Sequence, residues 1–519
     1  MVKNTFIRGA LLLTICALIG KVIGAFYRIP FAMIVGPEGV GLYQMVYPLY
    51  ALILTISTSG LPSSISKLLS GSYAEGKYYQ AKKYFKYSFS IIIIFSAIGF
   101  LSILCFSGLI SNLQGNADAK WCYVAISPAV LFAGVVAGVR GYFQSRENMF
   151  PTALSGLIEQ ICKVAIGLVL AYLLKGKGVV VATVGAIVGV SASELLASLF
   201  LLVCYHFSEK KMPQVLSQTK LDLSKKQMIK NIFKISLPIA LGSLIMPLTM
   251  VIDSTLIVRL LSKIFDTQKA TTLFGIQSGV VGSLINLPIV ASIAAQTILL
   301  PRITREKTQN NIASTSKTIK NALFFVLIVA IPCAICYFVF SKQIISILYI
   351  KSFSAEQINI ASRLLQIGAF NIVALSIAQT SAGILQGLGK INTPVVTLLV
   401  GAIIKVGSVV LLVPNAKIGI YGAEISDIIC FAVVSFINFV VIHKHAKYNF
   451  VKEFVELMLV CGGVGVCAFF SNYVLLKMVG ENSALVIGGL LTLVIYSISI
   501  IIVIKNKTKR PLFFAFRRK

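Results

Sequence analysis

Apolar runs of about 20 residues recur from one end of this chain to the other, and they constrain its fold more than any other feature. Each run is long enough to cross about 30 Å of hydrocarbon as an α-helix. Of the 519 residues, 57% are hydrophobic and 12% are charged, whereas soluble proteins carry about 25% charged residues. The sequence therefore predicts an all-α protein that crosses a membrane many times and has no separate soluble domain.

Fourteen membrane-spanning helices are predicted from these runs. They cover, in chain order, residues 6–33, 41–66, 87–112, 122–143, 152–174, 178–206, 232–258, 272–298, 321–341, 357–386, 392–414, 418–442, 452–474 and 483–504. Lys and Arg concentrate in alternate loops and in the terminal segments, which predicts a plasma-membrane protein with both termini in the cytoplasm. The net charge of +30 is explained by this loop pattern, so we do not expect nucleic-acid binding.

One long basic loop divides the predicted helices into two groups of six. We therefore predict an N-lobe at 1–206, a basic cytoplasmic linker at 207–231 and a C-lobe at 232–450. Residues 451–519 would add two further helices and a basic cytoplasmic tail.

The two predicted lobes share an internal repeat. At an offset of 242 residues, GYFQSRENMFPTALSGLIEQICKVAIGLVL (141–170) aligns with GILQGLGKINTPVVTLLVGAIIKVGSVVLL (383–412). The matches include Gly141 with Gly383, Gln144 with Gln386, and Lys163 with Lys405. Because the aligned spans have the same predicted orientation, they indicate a parallel repeat about an axis along the membrane normal.

Several cations fall inside predicted spans, where an ionised group costs at least about 2.5–3.5 kcal/mol unless it faces a cavity or a partner. Lys21, Gly24 and Arg28 lie on one helical face. If the repeated lobes face a shared cleft, Lys21, Arg28, Lys163 and Lys405 would line it. Such a cationic cleft suits an anion, most naturally a diphosphate.

Other polar residues could support such a site or neutralise it. Glu159 and Lys163 are four residues apart on one helix, so they could form a local ion pair that leaves no free charge. Arg140 lies at a predicted helix end, near Gln144, and could equally snorkel to the interface. Lys405 could pair across helices with Glu424 or Asp427.

Four acidic residues are candidates for coupling transport to Na⁺ or H⁺: Asp253, Glu424, Asp427 and Glu194. Asp253 could instead be a counter-ion for Lys405. The chain has three His residues and no HExxH or P-loop motif. We therefore expect a transporter rather than an enzyme, without a cofactor or a bound metal.

Two stretches resemble a known family. GKVIGAFYRIPFAMIVGPEGVGLYQMVYPLYALILTISTSGLPSSISKLL (20–69) and GYFQSRENMFPTALSGLIEQICK (141–163) closely resemble the stage V sporulation protein B and MurJ-like lipid II flippases of the multidrug/oligosaccharidyl-lipid/polysaccharide exporter superfamily. The resemblance implies two six-helix lobes with alternating access, and two last helices that hold a polyprenyl tail. It also implies transfer of a lipid-linked sugar diphosphate from the inner to the outer leaflet.

The family's residue pattern carries over only in part. GKVIG at 20–24 resembles the family's first-helix motif with Lys for Arg, and Arg28 falls near a second Arg of that motif. The acid that follows this Arg in the family is replaced by Ile29. Asp253 could match one acid of the family's sodium site, but the other helix offers Lys405, whose fixed ammonium could replace the ion.

The resemblance and the charges together predict a lipid II flippase. A role in spore cortex synthesis is implied by the resemblance alone. The expected partners are a lipid-linked oligosaccharide, membrane lipids and cell-wall synthases. The alternatives are a flippase for a teichoic or capsular unit, a cation-coupled drug exporter of the same fold, and a non-transporting cell-wall scaffold.

Overall fold

The protein is an all-helical membrane protein. The structure, a computed structural model, describes residues 2–210, 223–309, 311–446, 462–474, 487–492 and 494–499. Every regular element within these ranges is a helix. Eleven of the described helical segments are long and apolar enough to cross a membrane. The predicted fold class is therefore confirmed.

The first compact unit, Met1–Gly279, contains nine α-helices among its described residues. They are α1 (Val2–Thr58), α2 (Leu61–Ala74), α3 (Tyr78–Leu113), α4 (Ala119–Ser145), α5 (Phe150–Leu174), α6 (Val179–Lys210), α7 (Lys225–Ser243), α8 (Ile245–Leu261) and α9 (Thr267–Phe274). A π-helical segment, Gly275–Val281, follows α9. The core of this unit lies where α2, α4 and α7 meet, with Ile65, Tyr142 and Ile232 buried.

The second compact unit, Val280–Lys519, contains six α-helices before residue 447 among its described residues. They are α10 (Gly282–Thr308), α11 (Ile312–Val339), α12 (Ser341–Tyr349), α13 (Ala355–Gly387), α14 (Asn392–Leu412) and α15 (Tyr421–Ala446). Two shorter apolar helices, Gly462–Val474 and Ile487–Ser499, follow. Ile303 of α10, Leu323 of α11 and Leu385 of α13 are buried together in its core.

The eleven candidate spans correspond to the first twelve predicted ones. The longest, Leu12–Ala74, contains most of the predicted span 6–33 and all of the span 41–66. The last two predicted spans, 452–474 and 483–504, are described only through the shorter helices within them. The total of fourteen therefore stays a prediction.

Compactness groups the helices differently from the predicted lobes. Helices α7, α8 and α9, expected in the C-lobe, pack against α1 and α2 within the first unit. Residues 211–222 of the predicted linker 207–231 lie outside the described residues, as do most of the residues of 451–519. The predicted lobes are defined by the internal repeat, whereas the two units are defined by how compactly their helices pack. The division into lobes at 207–231 therefore stays a prediction.

Helix α1 is broken at Gly36, where φ is 70° and ψ is 177°. A side chain would be strained at these angles, so a glycine is required there. Pro37 follows, and a proline disfavours helical angles at the residue before it while removing one helical N–H donor. The pair Gly36-Pro37 thus separates the first predicted span from the second.

The segment of α1 after this break makes very close backbone contact with α9 and the π-helix. A Cβ added at Gly41 would lie 2.2 Å from the Thr271 carbonyl oxygen, and one at Gly275 would lie 2.1 Å from the Pro37 carbonyl oxygen. The Gln44 amide donates a hydrogen bond to the Ser278 carbonyl, at 3.0 Å. Glycine at 41 and 275 is therefore a packing requirement.

The repeated sequences occupy similar local positions in the two units. Gly141 lies on α4 and Gly383 on α13, each followed by a turn and the next helix. A Cβ at Gly141 would come within 3.0 Å of Pro62, and one at Gly383 within 2.3 Å of the Gln296 side chain. Both glycines therefore allow a neighbouring helix to approach closely.

We predict that Gly275→Ala lowers the free energy of unfolding by about 1–3 kcal/mol, because the added methyl group would force the Pro37 carbonyl and the π-helical segment apart. Thermal unfolding of the detergent-solubilised protein measures this change. Gly71→Ala is the matched control: no atom lies within 4 Å of its added Cβ, and alanine favours the helix. Equal stability of the two variants would contradict the packing argument.

Candidate functional site

Five ionisable side chains from four helices come together inside the first unit. They are Arg28 on α1, Arg140 on α4, Glu159 and Lys163 on α5, and Glu194 on α6. Glu194 is buried and the other four are partly buried. We call these five residues the polar cluster. Its helices α4, α5 and α6 belong to the first six predicted spans, as does the part of α1 that carries Arg28.

The Arg140–Glu159 ion pair is the central contact of the polar cluster. Arg140 Nη2 lies 3.2 Å from Glu159 Oε2, with both side chains about one-quarter exposed or less. Arg140 Nε also donates to the Ser155 hydroxyl at 2.9 Å, and the Gln160 amide donates to Glu159 Oε1 at 3.2 Å. Both carboxylate oxygens of Glu159 are thus engaged, and Arg140 points inward rather than snorkelling away.

Lys163 is not held by Glu159. Among the residues that the structure describes, its ammonium forms neither a hydrogen bond nor an ion pair, although Glu159, Arg28 and Glu194 lie within Coulombic range. The carboxylate four residues earlier is bonded to Arg140 instead. The local Glu159–Lys163 ion pair is therefore not formed among the described residues, and binding of a ligand by Lys163 stays a prediction.

The polar cluster has an excess of positive charge. With all five groups ionised, three cations face two carboxylates. Glu194 has Tyr50 beside it, yet its Oε2 atom is buried without a hydrogen-bond partner in the described part of the chain. A cluster of this kind attracts an anion, and Glu194 is a group whose charge could change when a proton or cation arrives.

The residues of the predicted first-helix motif have different surroundings in the structure. Gly20 and Gly24 face α5: an added Cβ would lie 3.3 Å from Gln160 Cγ and 3.4 Å from Gln160 Oε1, respectively. Both glycines thus pack against Gln160, whose amide donates to Glu159. Lys21 is exposed, and no described contact joins it to the polar cluster, whereas Arg28 is partly buried and already engaged in a polar interaction.

Around the polar cluster, the structure places one predicted supporting residue, Gln144, and three residues that the sequence analysis did not identify. Gln144 lies one turn beyond Arg140 on α4 and contributes its carbonyl to the turn at Glu147, at 3.1 Å. Ser155, Gln160 and Tyr50 were not predicted. Gln160 and Ser155 have a detectable signal, since they lie next to Glu159 and four residues before it on one helix.

The second unit contains a separate buried ion pair. Lys405 Nζ on α14 lies 2.5 Å from Asp427 Oδ1 on α15, and Lys405 is buried. One turn before Asp427, the buried Glu424 accepts a hydrogen bond from the Asn371 amide at 3.3 Å. Lys405 thus has the partner that its sequence position allowed, unlike its repeat mate Lys163.

Two further predictions concern ions. Asp253 lies on α8 of the first unit, partly buried and engaged in a polar interaction. Within the described residues, no group of three or more His, Cys, Asp or Glu residues could hold a metal ion. The expectation of no cofactor is untested and stays a prediction.

Comparisons with known proteins agree with the predicted resemblance. The polysaccharide biosynthesis protein family matches residues 6–307, and the MatE family matches residues 238–411. Stage V sporulation protein B of Bacillus subtilis is 26% identical over 91% of this chain and 90% of its own length. The lipid II flippase MurJ of the same organism is 26% identical over 91% and 89%.

A solved structure is also similar. The lipid II flippase MurJ in an inward closed conformation matches with a TM-score of 0.72 and 17% sequence identity, over 96% of this chain and 99% of the other. At this identity the likeness concerns the fold. The resemblance inferred from 20–69 and 141–163 is thus confirmed for the chain as a whole.

We predict that Arg140→Met lowers the free energy of unfolding by about 1–3 kcal/mol, because it leaves the Glu159 carboxylate without its charged partner. The double variant Arg140→Met/Glu159→Gln should recover part of this loss. Lys163→Met should not lower stability, because its ammonium has no bonded partner among the described residues and a desolvated charge is removed.

Thermal unfolding in detergent measures all three variants. A stability loss in Lys163→Met equal to that in Arg140→Met, abolished by Glu159→Gln, would mean that Glu159 pairs with Lys163 instead.

Proposed function

Because this chain belongs to the polysaccharide biosynthesis protein family, we propose that it moves a polyprenyl-diphosphate-linked glycan across the membrane. It is a multi-pass membrane transporter of the multidrug/oligosaccharidyl-lipid/polysaccharide exporter superfamily. The substrate that we propose is lipid II, carried from the inner to the outer leaflet by alternating access. The single observation that supports a diphosphate ligand most is Lys163, an intramembrane ammonium beside Arg28 with no bonded partner among the described residues.

In this proposal the cations of the first unit have different roles toward the diphosphate of the substrate. A diphosphate in this position carries about two negative charges, and the net charge of one positive unit on the fully ionised polar cluster would offset part of them. Arg28 would bind it through a planar fork and Lys163 as a point charge. Arg140 would stay bound to Glu159 and position the α4–α5 surface, with Gly24 and Gln144 supporting the same helices. Lys21, which is exposed, would meet the lipid before it reaches Lys163.

Lys405 has a different role in this proposal. Its ammonium is engaged by Asp427, so we assign it to ion coupling rather than to the diphosphate. A fixed cation next to Asp427 and Glu424 would take the place of a bound sodium ion. Glu194 and Asp253 remain the candidates for a proton.

The peptidoglycan role is favoured by the two named relatives. One is a lipid II flippase and the other is a sporulation protein. On this basis we propose lipid II as substrate and spore cortex synthesis as the process, with cell-wall synthases as partners and both termini in the cytoplasm. A teichoic or capsular lipid-linked unit is the second candidate, because its diphosphate would need the same cations.

We predict that Arg28→Ala, Lys163→Ala and Lys21→Ala each reduce transport about ten- to a hundredfold, since each removes a charged contact with phosphate. The measurements are flipping of lipid II in proteoliposomes and complementation of a flippase-deficient strain, at matched protein levels. Arg363→Ala is the control, because Arg363 is exposed on α13 and lies outside the proposed site.

Wild-type transport in Arg28→Ala and Lys163→Ala would refute the cationic site. Normal growth with every charge of the polar cluster neutralised would favour a scaffold, and export of an organic cation without lipid flipping would favour a drug exporter. Flipping of a teichoic or capsular lipid in preference to lipid II would identify the second candidate.

We also predict that transport by the wild-type protein is the same, within about twofold, in sodium and in potassium buffers of equal ionic strength. The reason is that the Lys405 ammonium already neutralises Asp427. The initial flipping rate in proteoliposomes tests this, with the membrane potential clamped. A strict requirement for sodium would exclude the fixed-cation role of Lys405.

A further inference from the structure

Five aromatic rings form a continuous ladder along α1, on both sides of its break. Tyr27 stacks on Phe31 with ring centroids 5.5 Å apart, and Phe31 contacts Tyr43 at 5.1 Å. Tyr43 stacks on Tyr47 at 5.5 Å with planes only 14° apart, and Tyr47 contacts Tyr50 at 5.7 Å. The ladder therefore crosses the break at Gly36 without a gap.

The middle of the ladder differs from its ends. Tyr27, Phe31 and Tyr50 are buried, with 3–4% of their surface exposed, as expected of core aromatics. Tyr43 and Tyr47 are more accessible than those three, and within the described residues neither hydroxyl forms a hydrogen bond. A pair of rings that served only to fill the core would be expected to be as buried as these three.

The accessible rings lie next to the polar cluster. Arg28 is within Coulombic range of both Tyr43 and Tyr47. Tyr47 is also within Coulombic range of Glu159 and Glu194. Cations, hydroxyl donors, carboxylate acceptors and two nearly parallel aromatic rings therefore lie within Coulombic range of one another.

This combination matches the chemistry of a sugar attached to a diphosphate. A pyranose ring presents C–H groups on its face and hydroxyls around its edge. The C–H groups are attracted to the electron-rich face of an aromatic ring, while the edge hydroxyls can bond to tyrosine hydroxyls and carboxylates. An acyl chain would use neither hydroxyl nor carboxylate, and the Arg28 charge disfavours an organic cation.

We propose that Tyr43 and Tyr47 form a stacking platform for the first sugar of the transported lipid, next to the diphosphate held by Arg28 and Lys163. This inference rests on the proposed function and goes beyond it. It assigns recognition of the glycan to the second segment of α1, and recognition of the phosphates to the polar cluster. The platform makes the protein prefer a glycosylated polyprenyl diphosphate over the bare one.

The experiment compares binding of two lipids to the purified full-length protein in nanodiscs: a polyprenyl diphosphate that carries one N-acetylhexosamine, and the same lipid without sugar. We expect Tyr47→Leu to weaken binding of the glycosylated lipid about three- to tenfold, the range expected for loss of one aromatic contact. Binding of the bare diphosphate should not change. Tyr47→Trp, which keeps a stacking face, should retain the preference.

The control is Tyr172→Leu, because Tyr172 is two-thirds exposed on α5 and lies outside the ladder. Loss of affinity for both lipids in Tyr47→Leu, or for neither, would overturn the platform: the first result would mean a structural role for the ring. If the wild-type protein binds neither lipid while correctly folded, the proposed function itself fails, and this inference with it.

Discussion

The Arg140–Glu159 ion pair determines what the charged interior of the first unit can do. Glu159 lies four residues before Lys163 on the same helix face, and an unopposed Glu159 would neutralise that lysine locally. Arg140, reaching from α4, bonds to the carboxylate instead, while Ser155 and Gln160 complete the contacts. Arg140 thus holds α4 and α5 together, and Lys163 has no bonded partner among the described residues.

Lys163 and Lys405, which are aligned in the sequence repeat, differ in whether an acidic side chain binds them. Lys163 lies near Glu159, which Arg140 engages, whereas Lys405 is buried against Asp427. Replacing one partner of a buried ion pair leaves a costly unpaired charge, so Lys405 is constrained by the stability of its own unit. In the part of the chain that the structure describes, Lys163 has no bonded partner that would constrain it in this way. A sequence repeat can therefore keep a residue type while its role changes.

Much of the fold could be predicted from the sequence, because membrane helices need about 20 apolar residues and short loops carry topology-setting charge. The break in α1 could be placed near Gly36-Pro37 for the same local reasons. The ionic partners could not be predicted in this way. Whether Glu159 forms its ion pair with Arg140 or with Lys163 depends on the distance between α4 and α5. The hydrophobic pattern of the sequence does not determine this distance. Tyr43 and Tyr47 were read as part of an apolar span, since only the structure distinguishes their accessibility from that of Tyr50.

The contact between Gly275 and Pro37 has a consequence for how the chain tolerates change. The carbonyl beside the α1 break approaches a backbone from a segment encoded far downstream, and the space between them admits no side chain. Position 275 therefore accepts no side chain while the backbone of residue 37 stays in place, whichever residue stands at 37.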